Sequence, residues 1–422
     1  MAIFLSQRGY RVTALERLPD VRRTPGIGGR SINLALADRG IHALRAAGVF
    51  ESIEPLLVPM RGRMLHDLQG EQTFLAYGQN DREVIYSISR AHLSQALLDH
   101  AERVCDVELR FRQTGISVDA SANTLWVQDL PTGKLYTLPL HHLIGADGAG
   151  SVLRRFFVES AGAHCSESLL THGYKELSIA ANADGAHQLA PHALHVWPRG
   201  EFMLIALPNI DGTFTATLFL PLDGRLSFSA LAKAQQVEEF FRAQFNDVLA
   251  LIPNLTQQFF AHPTGTMGTV RCDRWMLDDR VVLIGDAAHA IVPFHGQGMN
   301  CALEDCVELN TLLADDADWA SACVAFQRQR KPNTNAIADM ALENYVEMRD
   351  TVRDPKFQLQ KALSLELERL HPTRFIPRYS MVMFHHEIPY ATAFERGRNQ
   401  DEILQELARN ADSLTAIDFS KA

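Results

Sequence analysis

Paired cysteines are missing from this chain of 422 residues. Its six cysteines, Cys105, Cys165, Cys272, Cys301, Cys306 and Cys323, form no C-x-x-C and show no matching histidine spacing. Neither a zinc site nor a disulfide framework is signalled, so reduced, buried thiols in a cytoplasmic protein are expected, with no metal. No apolar run approaches the ~18 residues of a membrane span. The residues after Met1 lack the ordered basic, apolar and small-residue regions of a signal peptide, so no membrane partner is expected. Positive charge is short as well: 40 Lys and Arg against 50 Asp and Glu give a formal net charge of −10. With no basic stripe to neutralise phosphates, nucleic acid is not an expected partner. Apolar residues are plentiful, at 46%, enough for two or three lobes.

One further lack bears on function. Met1 to Arg8 reads as a helix closed by Gly9, and Tyr10 to Glu16 alternates into a short strand ending in a carboxylate. In a dinucleotide-binding βαβ unit this is the second strand, whose terminal acid holds a ribose. The first strand and its G-x-G-x-x-G turn are expected before it, and no such turn precedes Tyr10. Gly26-Ile27-Gly28-Gly29 follows the acidic strand and, with Pro25, reads as a loop.

Ser31 to Gly48 has helical spacing with Ser31 as its cap. Strands are expected at 61–66, 73–77 and 84–88, a helix at 90–104 and short strands between 107 and 140. Leu143 to Gly150, LIGADGAG, reads as a buried strand running into a glycine turn. Alternating runs at 193–198, 202–207 and 213–220 suit an inserted antiparallel sheet, and the pattern beyond Leu309 is helical.

The segment from Arg280 to Leu309 carries the clearest chemistry. Val281 to Ile284 suits a buried strand, Gly285-Asp286 breaks it, and a helix restarts after Gly296-Gln297-Gly298. Asp286 can accept hydrogen bonds from a polyol, while the free N–H groups and positive end of the helix favour an anion across its start. An ordinary helix-capping aspartate is the alternative for Asp286 taken alone.

The set of Glu16, Ala146-Asp147-Gly148 with Ser151 and Arg154, and Gly285-Asp286 with the later Gly-Gln-Gly turn resembles the single-component flavoprotein aromatic hydroxylases with the p-hydroxybenzoate hydroxylase fold. Five stretches narrow this to a resemblance to the kynurenine 3-monooxygenase family: GRSINLAL (29–36), MRGRM (60–64), HGYKEL (172–177), PFHGQGMNCALED (293–305) and RFIPRYSM (374–381). The resemblance implies an α/β (α+β) fold. A Rossmann-like FAD-binding lobe, N-terminally incomplete, spans 1–160 plus 272–310. An inserted antiparallel-sheet substrate domain follows at 161–271, and a C-terminal helical lobe at 311–422.

It also implies FAD as cofactor, NADPH as co-substrate, and hydroxylation of L-kynurenine to 3-hydroxykynurenine with dioxygen through a flavin C4a-hydroperoxide. The cofactor contacts it implies are Glu16 and Arg17 at the adenosine end, Arg90 near the pyrophosphate, Asp286 at the ribityl chain, and Pro293, Gly296, Gln297, Gly298, Met299 and Asn300 beside the isoalloxazine, with Asp147 near flavin and nicotinamide. A tight turn competes for Asp147, and a surface arginine for Arg154. Arg63 and Tyr77 are implied for the substrate carboxylate, since a guanidinium binds it bidentately. Asn344 and Tyr379 are further polar contacts, and Leu207, Phe219 and Phe294 apolar walls. His295 is a candidate for approaching the ring, and no catalytic residue is certain. Two other readings stay open: a related hydroxylase of another aromatic acid, and a non-catalytic homologue that does not hold FAD. A homodimer is also left open.

Overall fold

In the computed structural model of the protein, residues 1–24, 33–80, 82–119, 121–313, 318–351, 354–417 and 419 are described. Pro25, the 26–29 glycine run, Arg30 and Ser31 lie outside them.

Helix α1 (Ala2–Gln7) leads through Gly9, at φ +84°, into strand β1 (Thr13–Glu16). β1 pairs in parallel with β5 (Glu108–Phe111), and β6 (Leu143–Gly145) in parallel with β12 (Val281–Leu283). Among the described residues these are separate short sheets. The helical expectation for 31–48 is only half met. Asn33–Leu36 is a strand, β2, and α2 runs from Asp38 to Ala46. Leu34 and Leu36 suit either period, and antiparallel pairing with Ile85–Ser89 settles the matter by taking up the backbone hydrogen bonds.

A seven-stranded sheet forms the second layer. Its order is β11 (Gly265–Cys272), β7 (Cys165–Ile179), β10 (Phe214–Pro221), β9 (Met203–Pro208), β8 (Ala193–Pro198), β3 (Gly62–His66) and β4 (Gln72–Ala76). The sheet is therefore neither confined to 161–271 nor wholly antiparallel. β3 and β4 come from the first part of the chain, and β3 joins β8 in parallel, with Leu194 opposite Arg63 and His195 opposite Met64. This junction carries Arg63 from the N-terminal part of the sequence into the sheet.

The remaining layer is helical: α3 (Arg90–Arg103), α4 (Val152–Ala161), α5 (Gly298–Leu312), α6 (Trp319–Arg349), α7 (Pro355–Leu370), α8 (Arg378–Phe384) and α9 (Tyr390–Leu407). α6 is 31 residues long and packs against both α5 and α9. Residues along it, from Phe326 through Ile337 to Tyr345, are buried in three different apolar clusters. No helix of the described residues is long and apolar enough to cross a membrane.

Candidate active site

The turn after β12 is built on glycines that hold positive φ. Gly285 sits at φ +56°, ψ −144°, and Gly296 at φ +66° with any Cβ placed 3.1 Å from Ala35 Cβ. An L side chain is strained at both. Gly298, by contrast, has ordinary φ, and a Cβ there would meet Ile291 at an unexceptional 3.7 Å.

Side chains beneath the turn hold it in shape. Asp305, fully buried on α5, accepts from Gly285 N–H at 2.9 Å, lies 2.6 Å from His289 Nε2, and takes Arg330 Nε–H at 2.8 Å. Burial alone would raise its carboxyl, but His289 and Arg330 outweigh burial and bring it down to about 2. Arg330 also pairs with Glu304 at 2.6 Å. Asn300 joins the turn to β2: its Oδ1 accepts from Ala37 N–H at 2.9 Å and its amide donates to the Ala35 and Gly296 carbonyls, each at 2.8 Å. Gln297 accepts from Tyr390 O–H at 2.7 Å and faces the helical lobe. The side chains of Gln297 and Asn300 are thus committed to the protein itself, leaving their backbone for a ligand. No side chain caps α5, so its first N–H groups stay available to an anion.

Of the other residues expected here, Asp286 and Pro293 are exposed, Gly296 and Gly298 are partly exposed, and Met299 packs partly buried against an apolar cluster. Desolvation by the surrounding protein, with Asp305 adding, raises the Asp286 carboxyl although His289 and Arg90 oppose it. Glu16, Arg17 and Arg90 are exposed; Glu16 accepts from Leu18 N–H at 2.8 Å, and Arg90 opens α3. Asp147 acts at home as a helix cap. Its oxygens take Ser151 O–H at 2.5 Å and Val152 N–H at 2.7 Å at the start of α4. Arg154 is 3% exposed rather than on the surface, and it ties the Ala287 carbonyl at 3.1 Å to Glu167 at 2.6 Å.

The expected substrate contacts converge on a second, contiguous region. Arg63, on β3, points its guanidinium over the rings of Tyr379, at 5.3 Å, and Tyr77, at 5.9 Å. Those rings stack at 5.4 Å, and His295 stacks on Tyr379 at 5.7 Å. Phe294 lies 5.0 Å from Phe219 and its carbonyl accepts from Asn344 Nδ2–H at 2.6 Å. Leu207 shares an apolar cluster with Tyr77. Among the described residues, Arg63 Nε, Tyr77 Oη and His295 Nδ1 are buried without a hydrogen-bond partner. Such groups cost free energy unless something binds them. Burial pushes His295 down to about 4, so its ring is neutral near pH 7.

Two charged neighbours in this region were not read from the sequence. Glu347, on α6, pairs with Arg63 Nη1 at 3.1 Å. Burial raises its carboxyl, but Arg63 and Lys361 outweigh burial and hold it below the usual range. Lys361, on α7, lies 5.4 Å over the Tyr379 ring, and burial, aided by Arg63, pushes its amine down to about 8. A signal existed for Glu347: it falls three residues after Asn344, on the same helix face. Asp305 falls at four-residue spacing between the buried Cys301 and Leu309, where a carboxylate must have partners.

Known proteins bear on this arrangement. Residues 1–339 match the family model described as an FAD binding domain. In overall fold the chain is similar to 2-methyl-3-hydroxypyridine-5-carboxylic acid oxygenase, at TM-score 0.66 and 20% identity over 87% of this chain and 93% of that one. It is similar also to PqsL of Pseudomonas aeruginosa in complex with 2-aminobenzoylacetate, at TM-score 0.65 and 19% identity over 83% of this chain and 93% of that one. The kynurenine 3-monooxygenase of Stenotrophomonas maltophilia is 48% identical over 420 residues, covering 100% of this chain and 92% of that protein. That of Myxococcus xanthus is 46% identical over 422 residues, covering 100% and 91%. An FAD-type lobe, a glycine turn braced from below and a match along the whole length come together in one conclusion: the chain belongs to the kynurenine 3-monooxygenase family of FAD-dependent aromatic hydroxylases.

Proposed function

We propose that this protein hydroxylates L-kynurenine at ring position 3, using FAD, NADPH and dioxygen. The observation that carries the reading is the buried Arg63 guanidinium set against the Tyr77 and Tyr379 rings, with its Nε left without a hydrogen-bond partner. A guanidinium next to a phenol suits the carboxylate of an amino acid. Asn344 and Tyr379 add polar contacts, while Leu207, Phe219 and Phe294 enclose the aryl ring and exclude water.

The braced turn fits FAD. Backbone N–H groups at the start of α5, from Gly298 to Asn300, and the positive end of that helix favour the electron-rich edge of the ring system. Asp286 accepts from ribityl hydroxyls, Arg90 neutralises phosphate, and Glu16 and Arg17 serve the adenosine end. When bound, FAD supplies the activation of dioxygen by electrons from NADPH. The ring amine of kynurenine already enriches the carbon beside it, so no base is needed to activate the substrate, and the neutral His295 is suited to hydrogen bonding rather than charge. Orientation by Arg63 at one end and the aromatic walls at the other is the protein's main task. A cytoplasmic location belongs to the same proposal.

The purified protein should show flavin absorbance, and kynurenine should accelerate NADPH oxidation with formation of 3-hydroxykynurenine. A flavin-loaded protein that oxidises NADPH at one rate with or without kynurenine, and yields no hydroxylated product, would refute this reading.

A further inference from the structure

Two of the six cysteines, far apart in sequence, meet across a strand ladder. Cys165 opens β7, Cys272 closes β11, and the two are register partners on these antiparallel strands. Asp273 N–H donates to the His164 carbonyl at 3.0 Å. Residues 164 and 273 are therefore a hydrogen-bonded pair, and by the alternation of an antiparallel ladder 165 and 272 are a non-hydrogen-bonded one. Two further contacts agree with that phase. Val270 N–H turns away from β7 to the Ala290 carbonyl at 2.8 Å, and the Cys272 carbonyl accepts from Trp275 Nε1–H at 3.2 Å.

Pairs of this kind hold their Cα atoms about 4.5 Å apart, with both side chains on one face. A disulfide spans roughly 4.4–6.8 Å between Cα atoms, so the ladder already has the spacing of the bond. Both thiols are free and face the same apolar cluster, Cys272 buried within it and Cys165 partly exposed at its edge. Burial raises the Cys272 thiol, and the Cys165 sulfur beside it raises it further. The cation that opposes this rise is Arg154, held at 2.6 Å by Glu167, two residues along β7 from Cys165.

We propose that Cys165 and Cys272 are a redox site, a thiol pair that hydrogen peroxide oxidises to a reversible cross-strand disulfide. The more accessible Cys165 sulfur attacks one peroxide oxygen, forming an S–O bond as the O–O bond breaks, and the departing hydroxide takes up the thiol proton as water. Cys165 is then a sulfenic acid. The Cys272 sulfur attacks the Cys165 sulfur, an S–S bond forms, the S–O bond breaks, and hydroxide leaves with the Cys272 proton as a second water. The two sulfurs give up two electrons and the peroxide oxygens gain them. Cys272 never has to meet peroxide, and its position opposite Cys165 offsets the reluctance of a raised thiol.

Place in the fold gives the bond its effect. The chain passes from α4 into β7 at Cys165 and from β11 toward β12 after Cys272, so these residues mark two crossings between the part that carries β6 and β12 and the seven-stranded sheet. A disulfide there staples the two crossings and closes the chain between them into one long covalent loop, which restricts the unfolded state.

The flavin-loaded protein would be treated with dilute hydrogen peroxide under native conditions, its remaining thiols alkylated, and its peptides mapped by mass spectrometry. The expected product is one peptide joining 165 to 272, lighter by two hydrogens than its parts and separated again by dithiothreitol. The oxidised protein should melt several degrees above the reduced one. Cys165→Ser should give no linked peptide and leave Cys272 a thiol, whereas Cys272→Ser should leave a sulfenic acid on Cys165 that dimedone traps. The proposal is overturned if the wild type yields no linked peptide, if Cys165 runs on to the sulfinic acid, or if the link forms only in denaturant. A sulfenic acid on Cys272 in Cys165→Ser would overturn the order of the two steps. A linked protein with an unchanged melting temperature would overturn the staple.

Discussion

The glycine turn after β12 and the pocket around Arg63 treat buried polar groups in opposite ways. At the turn, Asp305, Asn300 and Gln297 have their hydrogen bonds met from inside the protein. At the pocket, Arg63 Nε, Tyr77 Oη and His295 Nδ1 are left unmet, and a lysine amine is pushed down to about 8. Saturated groups hold a shape; unsatisfied ones await a ligand. The turn is thus pre-formed framework, whereas the region around Arg63 stores a cost that, on the function proposed, a zwitterionic aromatic acid relieves.

The largest test of this contrast is Asp305→Ala. It takes away one of the two carboxylates of the buried Arg330 and leaves the Gly285 N–H and His289 without their shared partner, so it should cost about 3 kcal/mol of stability, read by chemical denaturation; near-normal stability would show that the turn needs no brace. Arg63→Ala should weaken kynurenine binding by about 2–4 kcal/mol, roughly a hundredfold. Flavin content should be unchanged, and calorimetry on flavin-loaded protein measures the difference. Lost flavin would mean that the two regions are not separable. Gly296→Val should cost about 1–2 kcal/mol through its positive φ and lower flavin retention. Gly298→Val lacks that strain, so any loss of flavin there, with a normal melting temperature, would report contact with the cofactor itself. The smallest effect concerns Lys361. Its cation is present below about pH 8 and lost above it, so kynurenine affinity should fall a few-fold, roughly, between pH 7 and 9. Lys361→Gln should remove that portion of the decline; an unchanged profile would place Lys361 outside the pocket's field.

Much of this contrast was legible in the sequence on the turn side. Gly285-Asp286 and Gly296-Gln297-Gly298 are local signals, because backbone conformation depends on the residue that adopts it. Asp305 was less visible, since its partners Gly285 and Arg330 lie 20 and 25 residues away and helical spacing alone does not name them. In the pocket, Arg63 and Tyr77 came from resemblance, and Glu347 and Lys361 escaped because isolated charges on long helices read as solvated faces. The strand at Asn33–Leu36 was missed for a similar reason: pairing with residues 85–89 overrode a local helical pattern. Cys165 and Cys272 are meaningless apart in sequence and become a unit only when β7 meets β11.

α6 carries Arg330, which braces the turn, and Asn344 and Glu347, which border the pocket, on one continuous helix. A helix fixes angular phase as well as distance: each residue advances it by about 100° and 1.5 Å. Substitutions on the solvent side between 330 and 344 should be well tolerated. A single inserted or deleted residue in that span would swing one set of contacts by about 100° out of register with the other. Among relatives, this stretch of chain should therefore vary in composition while keeping its length.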